Sequence, residues 1–488
     1  MGAFALGYGF VLVLLRGEPF VAGDQGVFLS VAARLLEGDR LYSEVFDNKD
    51  PLFFYTYAGG LWLAGWRGAF MLDALWLALA SVGIALLLRE LRAPRSALIA
   101  GFVVYPLALT AGWYLVGMSM LAGLAVAPFI PWLWLRARFE AAGAALAIVI
   151  LLKLNLTPLA AAPLAALILL GAPEETRRRA LLRGMLGLFG ALSVAVLFLG
   201  IRGELRSYFE TIDYNVYYSS ARTAADGFLD RTEEHVRIAW DFFYLAGRWQ
   251  APLAILVLAA FGAAVILAGM RGARSERVLA GLGIVALLGA AAVVALTAYG
   301  EAHLQLLAYP ATLVVSALIW RTDQLWGPRV GAVAATAVVL FSLWSSLKAD
   351  GGTEVSSLWS ARPISAGAIA LERARARFHP EARRIDYMVL GSNSENGHAA
   401  FLGPEFDLSC RYFHLYFFSR PEQFDETLAC ARRETPMYVL VTLGFFEPAG
   451  HVPHWNAFVA SSRQLLESRY ELVEEEHPGF QVWKLRSV

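Results

Sequence analysis

Phe46-Asp47-Asn48-Lys49-Asp50-Pro51-Leu52-Phe53-Phe54-Tyr55 sets two carboxylates, an amide and an ammonium directly before an aromatic, membrane-seeking segment. Asp50 and Pro51 mark a helix start, because a short acceptor side chain suits the cap and proline suits the first turn, where its missing N–H has no partner to lose. Two readings of the polar cluster stand side by side. Charges held just above a bilayer suit the handling of a charged lipid headgroup, and a solvated turn that only caps the next helix is the plainer alternative.

Upstream, residues 18–26 read Glu-Pro-Phe-Val-Ala-Gly-Asp-Gln-Gly, after which Val27, Phe28, Val31, Ala32 and Leu35 recur at helical spacing. This pattern predicts an amphipathic helix lying on a membrane surface with Asp24 at its N-terminal end. Glu37-Gly38-Asp39-Arg40-Leu41-Tyr42 then joins that helix to the cluster.

The chain around this stretch has 488 residues, 58% hydrophobic and 17% charged, with a mean hydropathy of +0.52. A soluble domain carries about 25% charge, so much of this surface meets no water and the chain is read as a membrane protein. Its 41 basic and 41 acidic residues cancel, which removes the global positive field that nucleic-acid binding needs. The 30 Phe, 18 Tyr and 14 Trp exclude a disordered chain. Cys410 and Cys430 are the only cysteines, too few for a disulfide framework or a cysteine-rich zinc site.

Apolar stretches long enough to span a bilayer fall near residues 3–16, 68–88, 96–113, 115–135, 183–201, 250–270, 277–298, 302–320 and 328–347. The first is short, has no Lys or Arg at its N-terminus and no small-residue cleavage site, and is read as a retained span. The run 141–170 is interrupted by Lys153-Leu-Asn155-Leu-Thr157-Pro158, and arginines flank it at both ends, so it is read as two half-spans meeting at a polar tip. Basic loops at 89–95, 136–138, 177–183, 271–277 and 321–329 fall on alternate connections and are assigned to the cytoplasm. Segments 17–67 and 202–249 and the tail from Lys348 then lie outside, giving about eleven crossings with the N-terminus in and the C-terminus out.

From residue 348 the composition turns soluble, with a helical pattern at 364–377, strand-like runs at 387–390 and 438–442, a helix near 455–467 and a run at 480–485. Alternating strands and helices predict a small α/β or α+β domain over 348–488 after a membrane domain over 1–347. Both cysteines lie there, in oxidising surroundings that permit a disulfide; a pair of buried thiols remains the other reading. The loop at 202–249 is charged and rich in tyrosine, with Tyr208, Tyr214, Tyr217, Tyr218 and Tyr244.

Asp24 after a first span, the stretch Ala33-Arg-Leu-Leu-Glu-Gly-Asp-Arg-Leu-Tyr42 and then Asn48-Lys49-Asp50-Pro51-Leu52 together resemble the first periplasmic loop of GT-C fold glycosyltransferases. Within that fold the likeness is to the bacterial branch of protein O-mannosyltransferases and lipid A aminoarabinose transferases. That branch commonly has Asp-Glu and Lys-Pro-Pro in the loop, where this chain has Gln25 and Asp50. A second, fainter likeness covers Tyr299-Gly-Glu301-Ala-His303-Leu-Gln305-Leu-Leu-Ala-Tyr309-Pro310. In relatives this region is associated with the donor's lipid phosphate, so Glu301 and His303 would border the site.

The resemblance implies a multi-pass α-helical inner-membrane protein with a periplasmic α/β domain. It would move a sugar from a polyprenyl phosphate or diphosphate onto the hydroxyl of an envelope glycan, lipid or protein, in contact with membrane lipid and without nucleic acid. Asp24 is the expected general base, and direct attack on the anomeric carbon implies inversion. The leaving phosphate needs preorganised positive charge, for which Lys49, Lys153 and His303 are candidates, with Glu301, Asp47 and Asp50 beside them. Lys153 is one of four lysines in a chain that otherwise uses arginine, and a phosphate partner or snorkelling to the interface explains it equally. The resemblance names no certain cofactor, and participation of a divalent metal is left open. A secondary transporter or flippase is the rival from another class, although the polar groups cluster at outer span ends and the single broken hairpin has no counterpart. A noncatalytic envelope-binding protein is the third reading, one with no need for Asp24.

Overall fold

A computed structural model describes residues 2–16, 24–110, 119–171, 174–225, 274–296, 305–348, 366–391, 406–413, 415, 419–446, 453–476 and 480–486. The N-terminal helices are α1 (Gly2–Arg16), α2 (Asp24–Glu37), α3 (Pro51–Ala64), α4 (Arg67–Glu90), α5 (Arg95–Leu109), α6 (Ser119–Val126), α7 (Phe129–Leu135), α8 (Phe139–Leu152) and α9 (Thr157–Gly171). There follow α10 (Glu174–Ile201), α11 (Leu205–Ala225), α12 (Arg274–Leu296), α13 (Ala308–Trp326), α14 (Pro328–Lys348) and α15 (Ala366–Phe378). Strands β1 (Ile385–Leu390) and β2 (Phe406–Leu408), helix α16 (Pro421–Glu434), strand β3 (Tyr438–Thr442), helix α17 (Pro453–Arg469), and strands β4 (Tyr470–Glu476) and β5 (Phe480–Leu485) complete the order. The expected span at 250–270 lies outside the described residues.

Contacts divide the chain into two units: Met1–Gly17, Phe70–Phe198 and Asp226–Gly352 form one, and Glu18–Ala69, Leu199–Ala225 and Thr353–Val488 the other. In the first, Arg67–Glu90, Arg177–Ile201 and Ser275–Val293 are long and apolar enough to cross a membrane, and shorter apolar helices such as Arg95–Leu109 and Phe139–Leu152 accompany them. On α10 the apolar Leu186, Val194 and Leu197 stand exposed, as on a helix whose solvent is lipid. Its opposite face meets α8 without side chains between the backbones. A Cβ at Gly143 would lie 1.9 Å from the Gly184 carbonyl oxygen, and one at Gly187 would lie 1.9 Å from that of Glu140, so only glycine allows this approach.

The expected interruption of the run 141–170 occurs where the polar residues stand. Lys153 leaves helical geometry at φ −163° and ψ 92°, a single 3₁₀ turn covers Leu154–Leu156, and Pro158 sits in the first turn of α9. Proline is tolerated there because that turn's N–H groups lack intrahelical acceptors.

In the second unit a five-stranded sheet runs in the order β2-β1-β3-β5-β4. β1 is parallel to both β2 and β3, with Tyr387 opposite Tyr438, while β5 is antiparallel to β3 and β4. Alternation sends Met388, Leu390, Val439 and Val441 into one core with Phe424 and Leu428 of α16 and Trp455 and Phe458 of α17. The Tyr438 hydroxyl, from the other face, donates to the Ala374 carbonyl of α15. Helices on both faces explain why all five residues of β3 are buried. Cys410 and Cys430 form a disulfide, which settles the alternative the sequence left open and ties the segment after β2 to α16.

α2 is more deeply enclosed than a helix resting on a surface. Val27 through Ala32 are all buried, with Phe28 edge-on to Phe53 of α3 at 4.9 Å between ring centres. Among its described side chains only Leu36 and Glu37, in the last turn, are exposed.

Candidate active site

Residues 40–50 form the candidate site, folded as a tight turn leading into α3. The Glu44 and Val45 N–H groups donate to the Arg40 carbonyl, and the Tyr42 N–H to that of Val45 at 2.7 Å. This geometry places Tyr42 at φ 66°, a left-handed conformation that costs a side-chain-bearing residue on the order of 1–2 kcal/mol. Compensation comes from the side chain. Tyr42 is fully buried, its ring stacks on Tyr208 at 5.6 Å and its hydroxyl donates to the Lys49 carbonyl at 2.8 Å.

Every residue of the polar cluster is held. Asp47 Oδ1 accepts the Lys49 N–H at 2.9 Å, a side-chain turn typical of aspartate, and lies 3.9 Å from Lys49 Nζ. The Asn48 carbonyl accepts from Asn215 Nδ2 of α11 at 2.9 Å. Asp50 occupies the cap position of α3 but makes no side-chain bond to that helix; Oδ1 instead accepts from the Tyr208 hydroxyl at 3.0 Å. Lys49 Nζ donates to Asn48 Oδ1 and sits 5.5 Å from the Phe28 ring centre. The Lys49 side chain is 13% exposed. Burial, and then the charge of Asp50, push the Tyr208 phenol well above its ordinary range, and burial does the same for Tyr42. Both phenols therefore stay protonated and remain donors.

A second anchor lies at Glu204, in the turn between α10 and α11. This carboxylate is completely buried and accepts the Leu41 N–H at 3.0 Å, Arg202 Nε at 3.1 Å and the Tyr55 hydroxyl. Arg202 also donates to the Asp39 carbonyl at 3.0 Å. Burial, then the bond to Glu204, raises the Tyr55 phenol.

The structure thus brings Asp47, Lys49 and Asp50 together, while Lys153 lies in the helical unit, half-buried at the break between α8 and α9. Asp24 opens α2, but its side chain lies outside the described residues, as do Glu301 and His303. Arg206, an arginine in the tyrosine-rich loop, pairs with Glu210 at 3.0 Å on an exposed face. Among the described residues no group of three or more His, Cys, Asp or Glu side chains could hold a metal ion. Glu204, Tyr208 and Asn215 have no role assigned from the sequence; the tyrosine density of 202–249 is the one signal pointing toward them.

No protein-family model matches the chain, and no curated protein sequence does. Solved structures do. ArnT from Cupriavidus metallidurans, bound to undecaprenyl phosphate, aligns with a TM-score of 0.52 at 15% identity over 99% of this chain and 96% of its own. The mycobacterial arabinofuranosyltransferase AftD aligns with a TM-score of 0.53 at 15% identity over all of this chain, and a second AftD structure with 0.51. This chain spans about two fifths of AftD, 40% and 41% in the two alignments. The chain has the fold that ArnT and AftD share, that of the GT-C membrane glycosyltransferases.

Proposed function

We propose that this protein transfers a sugar from a polyprenyl-phosphate donor to a hydroxyl acceptor at the outer face of the inner membrane. The observation that carries the reading is the Asp47–Asp50 turn, a hydrogen-bonded polar loop that holds one ammonium beside two carboxylates in a chain folded like ArnT, whose structure holds undecaprenyl phosphate. The carboxylates of Asp47 and Asp50 orient the turn, and Lys49 meets the donor phosphate. By the family resemblance, Lys153, His303 and Glu301 are further candidates for contact with the donor phosphate. In this reading residues 1–347 form the membrane domain of about eleven crossings, and residues 348–488 form an outer domain that shapes the acceptor side.

In the chemical step the acceptor oxygen forms a bond to the anomeric carbon as the bond from that carbon to the phosphate oxygen breaks. The acceptor's proton passes to Asp24 and the polyprenyl phosphate departs as an anion. A phosphate already leaves well, so neutralising its charge matters more than protonating it. Attack on the face opposite the leaving group inverts the anomeric centre.

The test uses purified protein in lipid nanodiscs, incubated with radiolabelled polyprenyl-phosphate sugars and envelope extract. Asp24→Asn is expected to abolish transfer, by about a thousandfold or more, while leaving donor binding near the wild-type value. Lys153→Ala is expected to weaken donor binding by about tenfold before it affects the step itself. Transfer that survives in Asp24→Asn removes the base, and the absence of transfer from every polyprenyl-phosphate sugar removes the proposal.

A further inference from the structure

The turn that carries Lys49 is clasped by a residue far away in the sequence. Arg411 Nε donates to the Tyr42 carbonyl at 2.7 Å, and the main-chain carbonyl of Arg411 accepts the Phe46 N–H at 3.1 Å. One residue therefore bonds both ends of the segment 42–46. Its guanidinium lies 4.7 Å from the Tyr412 ring centre and 5.8 Å from that of Phe46, with Glu426 of α16 at 3.7 Å. The preceding residue is anchored as well: the Cys410 carbonyl accepts from Arg34 Nη1 at 3.0 Å, and the disulfide joins Cys410 to α16.

A left-handed tyrosine persists only where its surroundings over-determine it. At Tyr42 the bonds fixing the backbone come from Arg411 and Val45, and the bonds carrying its position onward go to Lys49 and, through the stacked Tyr208, to Asp50. The path from Arg411 to the ammonium is thus a continuous series of contacts within one unit. Lysine could not replace it, because the guanidinium supplies a directed Nε–H and a flat face for two rings where an ammonium supplies a point charge.

From this geometry we infer that Arg411 is a positioning residue for the Lys49 turn, through which the C-terminal α/β part of the chain sets how tightly the turn binds the phosphate of a polyprenyl-phosphate donor. The inference rests on the proposed function for the ligand but not for the positioning. Arg411 acts through the turn it clasps.

Full-length protein in nanodiscs is compared as wild type, Arg411→Ala, Arg411→Lys and Phe458→Leu, the last a core variant of the same unit, expected to lower Tm, whose ring meets Phe424, Phe445 and Trp455. Amide hydrogen exchange of residues 42–49 is expected to quicken by about tenfold or more in Arg411→Ala, to remain quickened in Arg411→Lys, and to stay at the wild-type rate in Phe458→Leu. With an active donor, KM for the polyprenyl-phosphate sugar is expected to rise about tenfold in Arg411→Ala while kcat stays within about threefold. Unchanged exchange of 42–49 in Arg411→Ala overturns the inference, as does equal quickening in the core variant or an unmoved KM. If no sugar is transferred by the wild type, the proposed function fails and the exchange comparison still decides the role of Arg411.

Discussion

The chain interrupts its apolar pattern with polar residues at two places that resemble each other in composition and differ in structure. At Asp47–Asp50 the Asn48 and Lys49 carbonyls, the Lys49 N–H and both carboxylates have partners drawn from the turn itself or from α11. At Lys153–Pro158, Thr157 Oγ1 donates to the Leu154 carbonyl, while Asn155 Oδ1 is buried with no hydrogen-bond partner. A buried acceptor left without a donor costs roughly 1–3 kcal/mol. The first interruption is therefore tied through its side chains, and the second leaves one buried acceptor unsatisfied.

The most forceful way to break this contrast is at Glu204. Glu204→Ala strands the Leu41 N–H, the Tyr55 hydroxyl and the Arg202 guanidinium together, and is expected to cost about 3–5 kcal/mol in chemical denaturation. A loss below about 1 kcal/mol would mean that the turn is not preassembled. Next comes reduction of the Cys410–Cys430 bridge, whose sequence separation of 20 corresponds to about 3 kcal/mol of loop-closure stabilisation. Denaturation with and without reductant measures it, and Cys430→Ser should match the reduced protein.

A smaller effect is expected from Tyr208→Phe, which removes the donor to the buried Asp50 and should cost about 1–2 kcal/mol. The same variant has a pH signature. Because the folded state holds the Tyr208 phenol above its unfolded value of about 10, its stabilisation is complete below that pH and is lost as pH rises through the higher folded value. Alkaline unfolding of Tyr208→Phe should accordingly be less steep than that of the wild type. The smallest effect belongs to the other interruption. Asn155→Leu removes an unpartnered acceptor and should leave stability within about 1 kcal/mol of wild type or raise it, so a clear loss in thermal denaturation would show that the two interruptions are alike.

What the sequence disclosed depended on how local the cause was. The break at Lys153 was legible because proline and adjacent polar side chains act on their own backbone. Strands β3 and β5 showed themselves as Tyr-Val-Leu-Val-Thr and Phe-Gln-Val-Trp-Lys-Leu. β4, reading Tyr-Glu-Leu-Val-Glu-Glu-Glu, did not, since an acidic edge strand has little apolar alternation to display, and three-residue β2 is too short to show any. Asp47, Lys49 and Asp50 stood out as neighbours in the chain. Their partners could not: Tyr208 is 158 positions from Asp50 and Arg411 is 369 from Tyr42. The bent backbone at Tyr42 was equally hidden, because turn chemistry reserves left-handed positions for glycine and asparagine and nothing local announces an exception.

Those long separations have an outcome during synthesis. Ribosomes deliver Tyr42 early, yet the arginine that fixes its carbonyl emerges 369 residues later. A nascent chain halted anywhere in between lacks both bonds that Arg411 makes to the segment 42–46, so the left-handed Tyr42 is clasped only once synthesis is nearly complete.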